Sequence, residues 1–378
     1  MASSVAPACG PAFPGWQAAR RPSGGWNCTG CAPIWRASDG PVTVASLALA
    51  GRNQPVNRRP LLAALAGMPL AIPALAQPRW APNRQMRLVV PFPAGGSPDV
   101  LTRLMAPHAQ AALGQPVVVE NRTGAGATVG GAFVLQQPAD GHTVLTATIS
   151  SVTAPFMLAP PPYDPQRDFR ALSLLAITPT VLVTRPGFPA RTVQEWHQVV
   201  RANPGRFTFG SGGVGNPAHL AGELYRAMTG ADITHIAFRG SAPALVELRA
   251  GRLDFIIVDL PAAQQMIAEG TIPALAVGTA ERVPALPDLP TIGEAVAPGF
   301  EAYSYVMWWV PAATPDAAGD RLAEVAQEAL RQPEVQARAS TAGFLLRGTD
   351  QAGARAHVQA EAAKWGRIIR ERNIQFDG

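Results

Sequence analysis

The stretch Met86-Arg-Leu-Val-Val-Pro-Phe-Pro-Ala-Gly-Gly-Ser-Pro-Asp99 passes from an apolar run through a Pro/Gly segment into Val100, Leu101, Leu104 and Met105, which recur at helical spacing. It predicts a strand from Met86 to Pro91, then a helix with Ser97 as N-cap and Pro98 at its first position. The same strand–loop–helix order repeats outward. Val117–Glu120 reads as a second strand, leading through Asn121–Thr128 into a helix to Gln137. His142–Thr148 reads as a third, ending at Ser150-Ser151. Further on, strands are expected at Val181–Val183, Phe207–Gly210, Ile233–Ala237, Leu253–Val258 and Tyr303–Val310. The intervening helices are expected around Gln194–Arg201, up to Met228 and up to Gly251, with two more near Asp316–Arg331 and Ala352–Arg370. Such alternation belongs to the α/β class with a largely parallel sheet.

Three Gly-rich loops, 93–99, 122–128 and 210–219, leave strand ends and feed helix starts. A helix start offers unpaired N–H groups and the positive end of a dipole, so it favours anions. Glycines allow close backbone approach. In open α/β sheets ligands lie beyond the carboxyl ends of the strands, where such loops gather. Three loops of one design point to a small anion held mostly by main-chain donors.

The chain has 378 residues, 47% hydrophobic and 15% charged, which excludes a disordered or fibrous protein and suffices for two sizeable cores. No apolar run reaches the roughly 18 residues of a membrane helix. The net charge of +5 sits in the leader: residues 1–76 carry six Arg against Asp39, whereas residues 77–378 carry 25 basic and 25 acidic side chains. A neutral body has no electrostatic footprint for nucleic acid. Asn57-Arg58-Arg59-Pro60, the apolar stretch Leu61–Leu75 and Ala74-Leu75-Ala76 before Gln77 compose a signal peptide over 57–76, of general secretory or twin-arginine type. The preceding 56 residues are expected to be untranslated or disordered, with Val56 as the true start. Cys9, Cys28 and Cys31 all precede residue 76, so the body carries neither disulfide nor thiolate metal site.

No G-x-x-x-x-G-K-[ST] occurs, the only lysine being Lys364, and the glycines of Gly210-Ser-Gly-Gly-Val-Gly215 miss G-x-G-x-x-G by one position. Nucleotide binding is therefore disfavoured. Ser97, Ser211, Asp99 and His219 can be drawn as a triad, but no G-x-S-x-G elbow exists and His219 falls in a helix's first turns. With six His, no H-E-x-x-H and no paired Cys in the body, no catalytic metal and no cofactor are expected.

At these loops the chain resembles the extracytoplasmic solute receptors of tripartite tricarboxylate transporters, the Bug proteins. The resemblance is carried by Val90-Pro-Phe-Pro-Ala-Gly-Gly-Ser-Pro-Asp99, Val119-Glu-Asn-Arg-Thr-Gly-Ala-Gly126, Pro138-Ala-Asp-Gly-His-Thr-Val-Leu145, His219-Leu-Ala-Gly-Glu223, Phe238-Arg-Gly-Ser-Ala-Pro-Ala244, Gly251-Arg-Leu-Asp254 and Ala285-Leu-Pro-Asp-Leu-Pro-Thr291. It implies a two-lobed periplasmic-binding-protein fold (type II, Venus-flytrap), each lobe an α/β sandwich. Two strands cross between lobes near Thr178–Thr184 and Gly299–Tyr305. Lobe one is then 84–178 plus 306–378, and lobe two 179–305.

The resemblance also implies a ligand site. Phe92, Ala94, Gly95, Gly96, Ser97 and Asp99 form its first-lobe loop, with Asp99 as a cap that fixes the loop. Ser150 and Ser151 end the third strand at the cleft, and Ser211, Gly215, Asn216 and His219 belong to the second-lobe loop. Asp259, at a strand end, either selects a ligand ammonium group or caps the helix after Pro261. Arg122 and Arg239 are candidate anion clamps that alternatively face solvent or pair with acids. Three departures from the family pattern stand out: Asn216-Pro217 where Ser or Thr is usual, Phe238 for Tyr, and Ala127 for glycine. They suggest a less polar ligand such as an aromatic acid. The expectation is a monomeric, non-enzymatic periplasmic receptor that closes around a small carboxylate (di- or tricarboxylate, amino acid or aromatic acid). It would deliver that ligand to membrane permease subunits. A signalling sensor is the alternative, and a periplasmic hydrolase is less favoured.

Overall fold

In the computed structural model, which describes residues 79–376, ten strands follow the chain. They are β1 (Met86–Val90), β2 (Val117–Asn121), β3 (Thr143–Thr148), β4 (Phe169–Thr184), β5 (Thr208–Ser211), β6 (Thr234–Ala237), β7 (Phe255–Asp259), β8 (Ala274–Val277), β9 (Tyr303–Pro311) and β10 (Leu345–Leu346). They join in one sheet of order β2-β1-β3-β9-β4-β7-β5-β6, with β8 and β10 also on β4. The signal segment, the 56 residues before it and the three cysteines lie outside the described residues.

The pairing divides the sheet in two. β1 runs parallel to β2 and β3, and β9 closes this half antiparallel to β3 and to Phe169–Pro179 of β4. From Thr180 onward β4 pairs instead with β7 and β8, and β7 runs parallel to β5, which runs parallel to β6. β4 is thus shared by both halves, about 50 Å of continuous strand at ~3.3 Å per residue. Pro179, which cannot donate to a ladder, faces Tyr303 where the partners change.

Helices cover both faces. They are α1 (Ser97–Leu113), α2 (Thr128–Leu135), α3 (Ile149–Thr153), α4 (Val193–Ala202), α5 (Pro217–Thr229), α6 (Ser241–Arg249), α7 (Leu260–Ala268), α8 (Ile292–Ala295), α9 (Asp316–Leu330), α10 (Pro333–Thr341) and α11 (Gln351–Glu371). Local chemistry sets their ends. Thr192 and Glu195 form a reciprocal capping box on α4, Asn216 caps α5 with Pro217 next, and Gly114 and Gly230 end α1 and α5 in the left-handed conformation. Because both sheet faces are covered, neighbouring residues of one strand enter different cores: Trp308 packs with Leu88 and Val144, Trp309 with Val89 and Leu145, all fully buried. The result is a two-lobed α/β fold.

Several expectations are corrected. β4 spans sixteen residues rather than Val181–Val183, because it is buried on both faces and shows no alternation, while Arg170 and Ser173 interrupt its apolar run. Ser150 and Ser151 lie within α3 rather than ending a strand. β8, α8, α10 and β10 were not anticipated; each of the strands and α8 is four residues or fewer. Gly96, not Ser97, occupies the N-cap of α1, and Ser97 is its first helical residue.

At the partner change the second half is tied down by Gly278, whose N–H donates to the Thr180 carbonyl while its carbonyl accepts from Ala302 N–H. A methyl group at Gly278 would lie 2.1 Å from Thr180 Oγ1 and 2.8 Å from the Ala302 carbonyl oxygen. Gly278→Ala should therefore destabilise the fold by about 1–3 kcal/mol, the usual cost of overpacking. Urea unfolding of the variant checks this, and an unchanged midpoint would contradict it.

Candidate functional site

Because β1 and β3 are parallel in one half and β5 and β7 in the other, the loops after β1, β3, β5 and β7 sit at carboxyl strand ends, where α/β proteins bind ligands. In the first of these loops Asp99, only 2% exposed, is the organising group. Its carboxylate accepts from the Gly95 N–H at 2.9 Å, Arg103 Nε at 2.9 Å and Asn121 Nδ2 at 2.8 Å, and Asn121 Nδ2 also reaches the Phe92 carbonyl at 2.9 Å. Burial pushes the Asp99 carboxyl up, but the hydrogen bonds from Arg103, Gly95 and Asn121 outweigh it and leave the group below its usual range. Asp99 thereby ties both ends of Phe92–Gly95 to α1 and β2. The Ser97 hydroxyl makes no hydrogen bond among the described residues, nor do the N–H groups of Ser97 and Asp99 in the first turn of α1. Phe92, Gly96 and Ser97 are half-buried, and Ala94 and Gly95 exposed.

After β3 the two serines separate in role. Ser151 is fully buried and its hydroxyl accepts from the Thr148 N–H at 3.1 Å, as half of the capping box that starts α3. Its carbonyl takes the Tyr163 hydroxyl at 3.0 Å. The Ser150 hydroxyl has no partner among the described residues.

The loop after β5 is held from below by two histidines. Ser211 Oγ lies 2.7 Å from His235 Nε2 and 2.9 Å from the Gly213 carbonyl. His235 stacks on His219 with centroids 3.8 Å apart, and His219 Nδ1 accepts from the Gly215 N–H at 3.1 Å. Burial, reinforced by the neighbouring His219, pushes His235 down to about 4, and burial likewise lowers His219 against the opposing effect of Glu223. Both rings are neutral at pH 7: His219 Nδ1 accepts from Gly215, while the Ser211 hydroxyl donates to the Gly213 carbonyl and so leaves His235 Nε2 as the donor toward Ser211. Asn216 Oδ1 accepts from Ala218 N–H at 3.0 Å, leaving its Nδ2 donors without a partner. Sequence reasoning missed His235; its place in β6, registered against Phe209 of β5 beneath the loop, follows from strand pairing that spacing does not reveal.

Asp259 ends β7 on the same edge of the sheet as the Ser211 loop. It does not cap α7, which has no side-chain cap. Instead its carboxylate accepts from the Ser304 hydroxyl, 2.8 and 2.9 Å from its two oxygens, across the strand that joins the halves. With no basic partner among the described residues, burial raises its pKa to about 6 despite the Ser304 bond. Arg122 is no free clamp: its guanidinium donates to Glu120 at 2.7 Å and lies 3.9 Å above the Phe133 ring. Arg239 is exposed. Ala127 holds a left-handed φ of 80°, which a side chain opposes by about 1–2 kcal/mol.

The arrangement suits binding rather than bond-breaking. Ser211, the one serine paired with a histidine among the described residues, has no solvent exposure, so no substrate carbonyl reaches it. Among the described residues no cluster of His, Cys, Asp and Glu could hold a metal ion. A separate hollow of about 330 Å³, between Arg167, Phe169, Arg170 and Arg355, includes none of the loop residues. What the loops leave open are the Ser97, Ser150 and Asn216 donors and helix-start N–H groups, a set matched to an anion.

A two-lobed α/β protein with open donors in the loops at its carboxyl strand ends has the make-up of a solute-binding protein of the periplasmic type. The chain belongs to the tripartite tricarboxylate transporter family of receptors, whose model matches residues 101–374. It is 33% identical to the protein BugT of Bordetella pertussis over 317 residues, 82% of this chain and 97% of that one. Among solved structures it is similar to the R. palustris protein Rpa4515 with adipate (33% identity, 78% and 99% coverage, TM-score 0.68). It is also similar to MatC from Rhodopseudomonas palustris with bound malate (29% identity, 76% and 99% coverage, TM-score 0.66). The family consists of solute-binding receptors, not enzymes.

The neutral histidine pair makes a pH prediction. A His with pKa about 4 in the fold and ~6.5 when unfolded binds protons better unfolded, so its stabilisation is complete above pH ~6.5 and is lost as pH falls toward 4. Between about pH 7.5 and pH 5 the midpoint of thermal unfolding should fall by less in His235→Gln than in the wild type. Equal falls would contradict the assignment.

Proposed function

We propose that this protein is an extracytoplasmic receptor that captures a small carboxylate between its lobes and delivers it to a tripartite tricarboxylate-type permease. The observation that carries the reading is the contrast at three helix starts, those of α1, α3 and α5. Asp99, Ser151, Ser211 and His219 are spent on holding the loops, while the Ser97, Ser150 and Asn216 donors and the first-turn N–H groups stay unpaired. Preorganised donors whose partners are already rigid bind an anion at low entropic cost. That the related proteins were solved with adipate and malate supports a carboxylate as the anion.

The ligand-binding set is Phe92, Ala94, Gly95, Gly96, Ser97, Ser150, Gly215 and Asn216, with Asp99, Ser151, Ser211 and His219 as supports. The lobes are 84–178 plus 306–378 and 179–305, a division supported by the change of β4 partners at Pro179/Thr180. Asp259 completes the proposed set from the hinge side, where its carboxylate accepts from Ser304 and burial raises its pKa to about 6. Export through the signal over 57–76 places the receptor in the periplasm, and it works as a monomer. A ligand that touches both lobes only when they are closed shifts the population to that form, which the permease then recognises.

Thermal unfolding against a panel of dicarboxylates, amino acids and aromatic acids tests this, since a ligand of the folded state raises the midpoint with occupancy. One carboxylate class should raise it by several degrees. For that ligand Ser150→Ala should weaken binding about 10-fold, the loss of one hydrogen bond to a charged group. Ser151→Ala should lower stability by about 0.5–2 kcal/mol, the range for a lost helix cap, with affinity changed much less. Indifference to every carboxylate would overturn the proposal.

A further inference from the structure

Beyond the end of α11, the tail Arg372–Phe376 meets the second half twice, once at helix α5 and once at the loop before it. Arg372 Nε donates to Glu223 Oε2 at 2.9 Å, and Glu223, 3% exposed on α5, also accepts from Arg226 at 2.7 Å. Four residues on, the Phe376 ring lies against Gly215 in that loop and against Gly126 after β2: an added Cβ would meet it at 3.3 Å and 2.5 Å respectively. The same Cβ at Gly215 would meet Met157 Cε at 2.7 Å, and at Gly126 it would meet the Ala154 methyl at 3.1 Å. Ala154 stands four residues after Ser150, one helical turn on the same face. The half-buried ring therefore borders the space between Ser150 of one half and Gly215 of the other, with Met157 beside it. Gly126, Ala154, Met157 and Gly215, the residues gathered around the ring, bring no side-chain hydrogen-bond donor to it.

We infer that Phe376 is a specificity-determining residue of the ligand site, which supplies an apolar wall for the body of the carboxylate, and that Arg372 is a positioning residue for it. The inference rests on the proposed carboxylate receptor and names its cargo class: acids with an unsubstituted aliphatic or aromatic body rather than hydroxylated ones. The geometry favours glycine at both contacts: a Cβ at Gly126 would run into the ring, and one at Gly215 would run into Met157 beside it. Glu223 connects the two meeting points, since it faces Arg372 and also His219 (3.9 Å), which holds the Gly215 N–H.

The test measures dissociation constants of adipate, benzoate and malate for the full chain, its Phe376→Ala, Phe376→Leu, Arg372→Gln and Arg372→Lys variants by calorimetry. The expected result is that Phe376→Ala weakens adipate or benzoate about 10-fold, as removal of roughly 55 Å² of apolar contact at ~25 cal/mol per Å² implies, and malate less than threefold. Phe376→Leu should keep most of the preference. Arg372→Gln should reproduce the loss through a freed tail, and Arg372→Lys should restore it. Equal weakening of all three acids, or none, in the two disruptive variants overturns the inference. If the wild type itself binds none of the three and no other carboxylate, the receptor reading fails first. Should Phe376→Ala not fold, the Arg372 pair and Phe376→Leu decide.

Discussion

The shared strand β4 is the constraint on which the rest of the molecule depends. A strand of sixteen residues is stable only if its hydrogen-bonding groups are paired along its whole length, and neither half of the sheet does this alone. β9 serves it up to Pro179 and β7 with β8 from Thr180. The change of partners falls where proline has no N–H to lose, and Gly278 lets the chain of the second half approach Thr180 and Ala302 closely enough to seal the junction. Two mixed halves, each with a parallel βα portion, are thereby joined through the shared strand. The proposed closure would turn about Thr178–Thr180 and Ala302–Tyr303, where the backbone ladder passes from one half to the other.

The same economy governs the loops. A backbone anion site has to be rigid before the ligand arrives, or the binding energy goes into ordering it. Here the rigidity comes from buried side chains behind the loops. Asp99 spends both oxygens on the first loop, Ser151 caps α3, and the Ser211–His235–His219 group props the second loop from beneath. What faces outward is mostly N–H, with a few hydroxyl and amide donors. Such a site recognises charge and shape more than atom-by-atom identity, consistent with a family whose solved members hold different dicarboxylates. Specificity must then come from the walls, and the tail through Phe376 is the element that supplies one.

Much of this was legible beforehand for definite reasons. Strand β1, its loop and helix α1 announce themselves because β-branched residues, Pro/Gly punctuation and 3.6-residue spacing coincide in Met86–Met105. The full extent of β4 did not, since a strand buried on both faces loses the alternation that marks a half-buried one, and Arg170 and Ser173 break its apolar run. At the candidate site, the division between Ser150, whose hydroxyl is open, and Ser151, which is spent on the start of α3, depends on a capping geometry one residue wide that residue types do not reveal. Asp259 read equally well as a cap; only the approach of Ser304 across β4 decides against it. His235 and Phe376 lay beyond reach because each meets the loops through contacts distant in the chain.

The central claim is that a ligand held by both halves closes them about the shared strand β4. The most direct measurement is the distance between spin labels at Gln110→Cys on α1 and Gln264→Cys on α7, with Cys9, Cys28 and Cys31 replaced by Ser, taken with and without the acid that gives the greatest thermal shift. The account predicts a mixture of separations without ligand that collapses to one narrow population when the ligand is bound. A ligand that binds tightly while leaving the distance distribution unchanged would contradict it.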